Sequence, residues 1–238
     1  MQIKATPVAY GKSPEQWYEW YEPNATLPPK GVIVLVHGGF WRQQHTLIQM
    51  YPLASFFLAQ GWAVANIEYR RGDCDGNWPH IIEDVIQAFQ SVRQRAQARQ
   101  VGGPVVGIGH SVGGQLVLLA AQEQDQVIAL APVTDVLRTE QEDLGESAAR
   151  AFFGAQLTEV AVEASPIHQL PDQRALLVIH GEEDQRVPLA HSTDYIQALE
   201  AQGLKPEFWQ VENLDHFYII DPQCEIWPRV LGYLEVKN

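Results

Sequence analysis

Short apolar runs alternate along the chain with longer segments whose apolar residues recur at helical spacing. The run Val32–Val36 is β-branched and leucine-rich throughout, which is typical of a strand buried on both faces. After Pro79, apolar residues recur at helical spacing as far as Val92, which predicts a helix. The same pattern predicts further strands at 16–21, 62–69, 104–109, 126–132, 175–181 and 206–213, and further helices at 47–60, 112–122, 189–202 and 222–236.

This alternation of strands and helices predicts an α/β fold, with a mostly parallel, doubly wound sheet covered by helices on both faces. In such sheets ligands bind beyond the carboxyl ends of the strands, so the chemistry is expected in the loops that follow each strand. The length of 238 residues predicts a single domain over 1–238. The segment from Arg138 to Pro171 breaks the alternation and predicts a short helical insertion, similar to a cap.

Composition and charge narrow the possible partners. Hydrophobic residues make up 46% of the chain and charged residues 19%, which is typical of a globular domain. The net charge of −13 disfavours binding to nucleic acid and to anionic membranes, because these are also negatively charged and like charges repel. We find no pattern typical of a signal peptide and no apolar stretch that approaches the ~20 residues needed to span a bilayer. We therefore expect a cytoplasmic protein. Cys74 and Cys224 are expected to be free thiols, and the oligomeric state stays open.

The segment Gly109-His110-Ser111-Val112-Gly113 has the G-x-S-x-G pattern of a nucleophile elbow. It directly follows a predicted strand and opens a predicted helix, which is the context that the pattern requires. Glycines on both sides let the strand and the helix approach closely, so that the serine hydroxyl is held at the N-terminus of the helix. The alternative is an ordinary serine N-cap. We interpret Ser111 as a nucleophile.

A serine needs a base, and in this fold the acid and then the histidine follow the serine along the chain. Among the eight histidines, His216 alone follows the last predicted strand, so it is the expected base. Asp184 is the expected acid, since it lies deepest in the loop after the strand at 175–181. The rival carboxylates are Glu182 and Glu183 in the same loop, and Asp215 beside the histidine. We interpret Asp215 as a local turn residue.

Backbone N–H groups are expected to form an oxyanion hole for the charge that acyl transfer develops. Val112, the residue after the nucleophile, supplies one donor, and Gly39 or Phe40 in the loop after the first core strand supplies the other. Trp41 and His110 are the expected substrate-binding residues, although a single tryptophan could equally belong to the core. The histidines show no metal-ligand spacing such as H-E-x-x-H, so we expect no metal or organic cofactor.

These motifs together resemble a known group. HGGFW, GHSVGG, HGEEDQRVP and LDHF resemble the small esterase branch of the α/β-hydrolases. Within that branch, HGG followed by an aromatic residue and Trp41 is similar to the kynurenine formamidase-like enzymes. HGEEDQRVP and the SPI segment at 165–167 also resemble the catalytic domains of prolyl oligopeptidase-type peptidases. The resemblance implies an α/β-hydrolase fold and a serine mechanism.

The expected function is that of a serine hydrolase that cleaves a small carboxylic ester through an acyl-enzyme. The short insertion favours an open site and small substrates over long lipids. Three alternatives stay open at this point, namely a formamidase of the kynurenine type, a small peptidase and a non-catalytic binding module. The expected partner is therefore a small-molecule ester or amide.

Overall fold

A computed structural model describes residues 5–23, 27–72, 75–123, 125–171 and 175–237. Within these ranges the chain forms one sheet and eight α-helices joined by loops and short 3₁₀ turns. The strands are β1 (Thr6–Ala9), β2 (Trp17–Tyr21), β3 (Val32–Val36), β4 (Ala63–Ile67), β5 (Val105–His110), β6 (Gln126–Leu130), β7 (Leu176–Gly181) and β8 (Glu207–Val211). The helices are α1 (Tyr51–Ala59), α2 (His80–Ala98), α3 (Val112–Ala120), α4 (Val136–Gln141), α5 (Ala148–Phe153), α6 (Leu157–Ala164), α7 (Ala190–Ala201) and α8 (Ile226–Lys237).

The sheet has the strand order β1-β2-β4-β3-β5-β6-β7-β8. The six strands β4-β3-β5-β6-β7-β8, in their order across the sheet, pair in parallel. The other two pairings, β1 with β2 and β2 with β4, are antiparallel. Because parallel strands end at the same edge, the loops after β3, β5, β7 and β8 all begin at one edge of the sheet. The α/β prediction with a mostly parallel sheet is confirmed.

Both faces of the sheet are buried, which explains the continuous apolar runs. On β3, Val34 packs into one hydrophobic cluster, whereas its neighbours Ile33 and Leu35 pack into the other. The first cluster includes residues of α2, α3 and α7, and the second includes residues of α1 and α8. Helices on both sides therefore hold the strands in a rigid central layer, to which the loops are attached.

Differences from the sequence prediction arise where side chains are exposed or where a helix begins irregularly. Strand β1 was not predicted, because its four residues are mostly exposed at the sheet edge and show no apolar alternation. The helix predicted at 47–60 begins as a 3₁₀ turn, and the final helix begins at Ile226 rather than at 222. Cys224 is a buried free thiol, whereas Cys74 lies outside the described residues.

The segment between β6 and β7 contains the three short helices α4, α5 and α6, and α4 begins at Val136, before the start of the predicted insertion at 138–171. That this insertion acts as a cap stays a prediction. Phe153, Leu157 and Ala161 of this segment belong to the hydrophobic cluster that α2 and α3 share. The segment thus packs firmly on the body of the protein. That the chain forms a single domain over 1–238 stays a prediction.

Candidate active site

Ser111 occupies a sharp turn between the end of β5 and the start of α3. Its backbone has φ 57° and ψ −119°, a left-handed conformation that is costly for a residue other than glycine. The turn requires small neighbours, since a Cβ added at Gly109 would lie 2.1 Å from the carbonyl oxygen of Gly113. A Cβ added at Gly113 would in turn lie 2.1 Å from the carbonyl oxygen of Val36. This is the geometry of a nucleophile elbow.

Asp184 lies in the loop after β7, and both oxygens of its carboxylate accept hydrogen bonds. Oδ2 accepts a hydrogen bond of 2.6 Å from Nδ1 of His216, while Oδ1 accepts from the backbone N–H groups of Arg186 and Val187 at 2.8 and 2.9 Å. Burial raises the pKa of Asp184, but the hydrogen bonds from His180 and His216 outweigh burial and hold this pKa well below its usual range. The carboxylate is therefore ionised and fixed in orientation.

Two of the rival carboxylates, Asp215 and Glu182, have other hydrogen-bond partners. Asp215 is exposed, and its Oδ1 accepts hydrogen bonds of 2.8 Å from the backbone N–H groups of Phe217 and Tyr218, which makes it a local turn residue. Glu182 accepts a hydrogen bond from Gln210 on β8. Among the carboxylates that the sequence offered, Asp184 is thus the one whose hydrogen bond to His216 the structure describes.

His216 lies in the loop after β8 with its side chain 6% exposed. Because Nδ1 faces Asp184, Nε2 is on the opposite side of the ring, and His216 lines the same cavity as Ser111. Behind it, Nε2 of His110 lies 2.8 Å from the carbonyl oxygen of His216, and the two rings are 4.5 Å apart. Burial, followed by the charge of His216, lowers the pKa of His110 to about 3, so His110 is neutral and donates through Nε2.

A cavity of about 410 Å³ opens in front of Ser111 and His216. It brings together five of the residues that the sequence singled out, since His110, Gly39 and Phe40 also line it. Its remaining walls are mostly polar and comprise Arg42, Gln44, His45, Gln49, Gly145, Glu146, Arg186 and Phe217. The space is therefore small and offers several hydrogen-bonding groups to a molecule that enters it.

The loop after β3 turns beside the nucleophile. Three successive residues have positive φ, with values of 126° at Gly39, 50° at Phe40 and 57° at Trp41. A Cβ added at Gly38 would lie 2.9 Å from Cβ of Ser111, so this loop can approach the serine only because it has glycine there. Val112 begins α3, where backbone N–H groups have no intrahelical acceptor. Both predicted sources of oxyanion donors therefore lie next to Ser111.

The structure places Trp41 away from the cavity of Ser111. Its indole is 2% exposed, donates a hydrogen bond of 3.0 Å to Gln115 and stacks on Phe152 at 5.7 Å between ring centroids. Trp41 instead lines a neighbouring space of about 460 Å³ with Phe40. These contacts are those of a core residue, which is the alternative interpretation, and a role of Trp41 in substrate binding stays a prediction.

Sequence reasoning missed a buried ionic network beneath the loop that follows β3. Glu68, at the end of β4, contacts Nε2 of His37 at 2.8 Å and Nη1 of Arg71 at 2.6 Å. Arg71 also donates to the carbonyl oxygen of His45 at 2.5 Å. The side chains of Glu68 and Arg71 are 4% and 1% exposed. The available signal was a single carboxylate within the apolar run Trp62 to Tyr69.

Two further properties concern only the residues that the structure describes. Among them, no group of three or more histidine, cysteine, aspartate and glutamate side chains is arranged to hold a metal ion. Over the same ranges, no helix is both long enough and apolar enough to cross a bilayer.

The fold and the position of the serine define the class of this protein. An eight-stranded sheet of this order, with a serine elbow after β5, makes it an α/β-hydrolase. Residues 56–226 match the model of the prolyl oligopeptidase family (Peptidase_S9), and the chain belongs to that family.

Similar proteins include hydrolases of different specificity. Esterase LipC of Mycobacterium tuberculosis is 29% identical over 223 residues, which cover 82% of this chain and 54% of LipC. The chain thus spans about half the length of that relative. Kynurenine formamidase of Danio rerio is 22% identical over 242 residues, covering 90% of this chain and 75% of the formamidase. The solved structure of a truncated carbohydrate esterase from gut microbiota has a TM-score of 0.84 at 18% identity, covering 98% of this chain and 95% of that chain.

Proposed function

We propose that this protein is a serine carboxylesterase that cleaves a small carboxylic ester through an acyl-enzyme intermediate. The observation that carries the proposal is the position of His216, which is bonded to Asp184 at 2.6 Å through one nitrogen and lines the cavity of Ser111. A histidine oriented by an ionised carboxylate is the base that a serine hydroxyl needs.

In the proposed mechanism, Oγ of Ser111 attacks the ester carbonyl carbon while Nε2 of His216 takes the hydroxyl proton. Asp184 stabilises the resulting imidazolium through Nδ1. The N–H groups of Val112 and of Gly39 or Phe40 hold the oxyanion of the tetrahedral intermediate. His216 then protonates the leaving alcohol, and water hydrolyses the acyl-enzyme by the same steps.

The polar walls of the cavity support a small and polar ester as substrate. Two arginines and two glutamines surround the space in front of Ser111, and Phe217 at the rim is 58% exposed. Such a combination of hydrogen-bonding groups and an aromatic face suits an acylated polar molecule such as a sugar ester. The likeness to a carbohydrate esterase agrees with this choice.

A formamidase activity is the second candidate, and the similarity to a kynurenine formamidase supports it. The formyl group of a formamidase substrate is smaller than an acetyl group, so the cavity in front of Ser111 would accommodate it as well. A peptidase activity is the third, since the chain belongs to the prolyl oligopeptidase family. All three would use the same catalytic residues and differ in the acyl group and in the leaving group.

The test compares wild type with Ser111→Ala on p-nitrophenyl acetate, p-nitrophenyl octanoate, an acetylated sugar, N-formylkynurenine and an aminoacyl anilide. We expect hydrolysis of the acetyl esters at the highest kcat/KM, and a loss of at least about 10³-fold in the variant. Higher activity on N-formylkynurenine or on the anilide would select the second or third candidate. A folded wild type that turns over none of them would favour a binding module and refute the proposal.

A further inference from the structure

His37 ends the first parallel strand, and both nitrogens of its buried ring face oxygen atoms. Nδ1 lies 2.8 Å from the carbonyl oxygen of Gly38, and Nε2 lies 2.8 Å from Oε1 of Glu68. A carbonyl oxygen and an ionised carboxylate oxygen are acceptors only. A neutral imidazole has a single N–H, so one of its nitrogens would direct a lone pair at an oxygen. Only an imidazolium donates to both partners.

The alternative, a proton on Glu68, conflicts with the other contacts of this carboxylate. Oε1 also accepts from Nη1 of Arg71 at 2.6 Å and from the backbone N–H of Tyr69 at 3.2 Å, and Oε2 accepts from the N–H of Leu47 at 3.2 Å. Burial raises the pKa of Glu68, but the hydrogen bond and charge of His37 and the charge of Arg71 lower it further, leaving it below its ordinary value. Glu68 is therefore ionised.

The other groups that face His37 leave the imidazolium in place. The hydroxyl of Tyr69 lies 3.5 Å from Nδ1 of His37, but it donates its proton to the carbonyl oxygen of His37 at the much shorter distance of 2.6 Å, and its ring stacks on the imidazole at 4.4 Å. Burial raises the pKa of Tyr69, so this hydroxyl stays protonated. Burial, together with the nearby charges of His37 and three arginines, lowers the pKa of His45. Glu68 is thus the anionic partner of the ring.

His180 provides a contrast within the same protein. It also lies at the end of a parallel strand and is also fully buried. Its Nε2 lies 2.9 Å from the carbonyl oxygen of Val187, but its Nδ1 lies 2.7 Å from Oγ of Ser192, a hydroxyl that can donate. A neutral ring with its proton on Nε2 satisfies Val187 and Ser192, and that proton also faces Oδ2 of Asp184 at 3.4 Å. The hydrogen-bond partners therefore require a cation at His37 but only a neutral ring at His180.

We propose that His37 is an imidazolium that polarises the peptide group between Gly38 and Gly39 and thereby strengthens the Gly39 N–H as an oxyanion donor. In a trans peptide the carbonyl and the N–H point in opposite directions. With the Gly38 carbonyl directed at His37, the Gly39 N–H points away from the ring, and Gly39 lines the cavity of Ser111. A cation bonded to the carbonyl draws electron density from the N–H, because linked hydrogen bonds polarise one another. His37 is thus a positioning and polarising residue, and its catalytic effect rests on the proposed serine mechanism.

The charge state is tested on the wild-type protein without any activity measurement. Two-dimensional ¹⁵N–¹H spectra of the histidine side chains report which ring nitrogens carry protons. From the hydrogen-bond partners we expect both nitrogens of His37 to be protonated at pH 7, and His180 to show one protonated nitrogen at the same pH. The exposed His168 gives the reference signal of a ring in contact with water. A singly protonated His37 at pH 7 would overturn the inference.

The catalytic effect is tested with Glu68→Gln. The amide oxygen must take the place of Oε1, since Nη1 of Arg71 and the N–H of Tyr69 donate there, so a neutral ring keeps its single proton on Nε2. The positive charge and the donation from Nδ1 to Gly38 are then removed together. We expect kcat on p-nitrophenyl acetate to fall roughly tenfold with little change in KM, which is less than the 10²–10³ that loss of a donor costs. The amide proton of Gly39 is expected to move upfield, a change that a purely structural role of Glu68 would not produce.

Glu15→Gln is the matched control, because Glu15 contacts Nη1 of Arg71 at 3.2 Å without contacting His37. It is expected to retain the wild-type kcat. A Glu68→Gln protein that folds, shows a neutral His37 and keeps the wild-type kcat would overturn the polarising role. If the Ser111→Ala variant were fully active, the proposed function would fail, while the spectra would still decide the charge state of His37.

Discussion

Replacing Asp184 by asparagine isolates the effect of one charge, because the side chain keeps its shape. In the wild type, Oδ1 accepts two backbone N–H groups and Oδ2 accepts the proton on Nδ1 of His216. The asparagine oxygen must occupy the Oδ1 position to serve the two N–H donors, so its NH₂ group faces Nδ1. His216 then has to carry its proton on Nε2, the nitrogen that should accept the proton of Ser111. The base is present but in the wrong tautomer.

The expected loss in kcat for Asp184→Asn is roughly 10⁴-fold, as for the equivalent exchange in other serine triads, which corresponds to about 5 kcal/mol of activation free energy. The assay is hydrolysis of p-nitrophenyl acetate at pH 7 to 9, with Tm measured to verify folding. Asp215→Asn is the control, since Asp215 only caps a turn that asparagine can also cap, and we expect its kcat to stay within about twofold of the wild type. An Asp184→Asn protein within tenfold of wild type, or a large loss in Asp215→Asn, would refute the assignment of the acid.

Three other predictions concern stability. Because the pKa of Asp184 is lowered on folding, the stability it contributes is present above its ordinary pKa of about 3.9 and is lost as the pH falls through the lower folded value. The difference in unfolding free energy between wild type and Asp184→Asn should therefore shrink between pH 5 and pH 2 in urea titrations. Gly109→Ala should cost at least about 3 kcal/mol through its clash with Gly113, whereas Gly102→Ala, where an added Cβ meets nothing within 4 Å, should stay within about 0.5 kcal/mol. Trp41→Phe should destabilise by about 1–3 kcal/mol by leaving Gln115 without its donor, and a raised KM with unchanged stability would instead assign Trp41 to the substrate site.

The elements that could be predicted from the sequence are those whose side chains are buried on a regular period. Strands such as β3 and β7 are buried along their whole length, so their apolar runs identify them directly. The order of the serine, acid and histidine along the chain then indicated Ser111, Asp184 and His216 without further geometry. Their catalytic roles, the cytoplasmic location and the free state of Cys74 stay predictions.

The features that could not be predicted from the sequence depend on contacts between residues that are far apart along the chain. Glu68 and His37 are separated by 31 positions, and neither the strand pattern nor the glycine turn indicates that they meet. The alternative roles of Trp41 could not be separated either, since its core position depends on Gln115, 74 positions away, and on the aromatic residues of α5. Patterns along the chain report burial, whereas the identity of a buried partner follows only from the three-dimensional structure.

The loop that carries Gly39 and Phe40 is held by contacts with two separate segments, one of which is the helical region between β6 and β7. Below the loop, Arg71 bonds the carbonyl oxygen of His45. Above it, Arg42 donates to the carbonyl oxygen of Gly145 in the insertion, where a Cβ would lie 2.7 Å from the ring of Phe40. Oxyanion donors stabilise a transition state only when they are fixed before the reaction. In the proposed mechanism the residues 138–171 and the ionic network therefore act together, since releasing either contact would leave the proposed oxyanion donors free to turn away from Ser111.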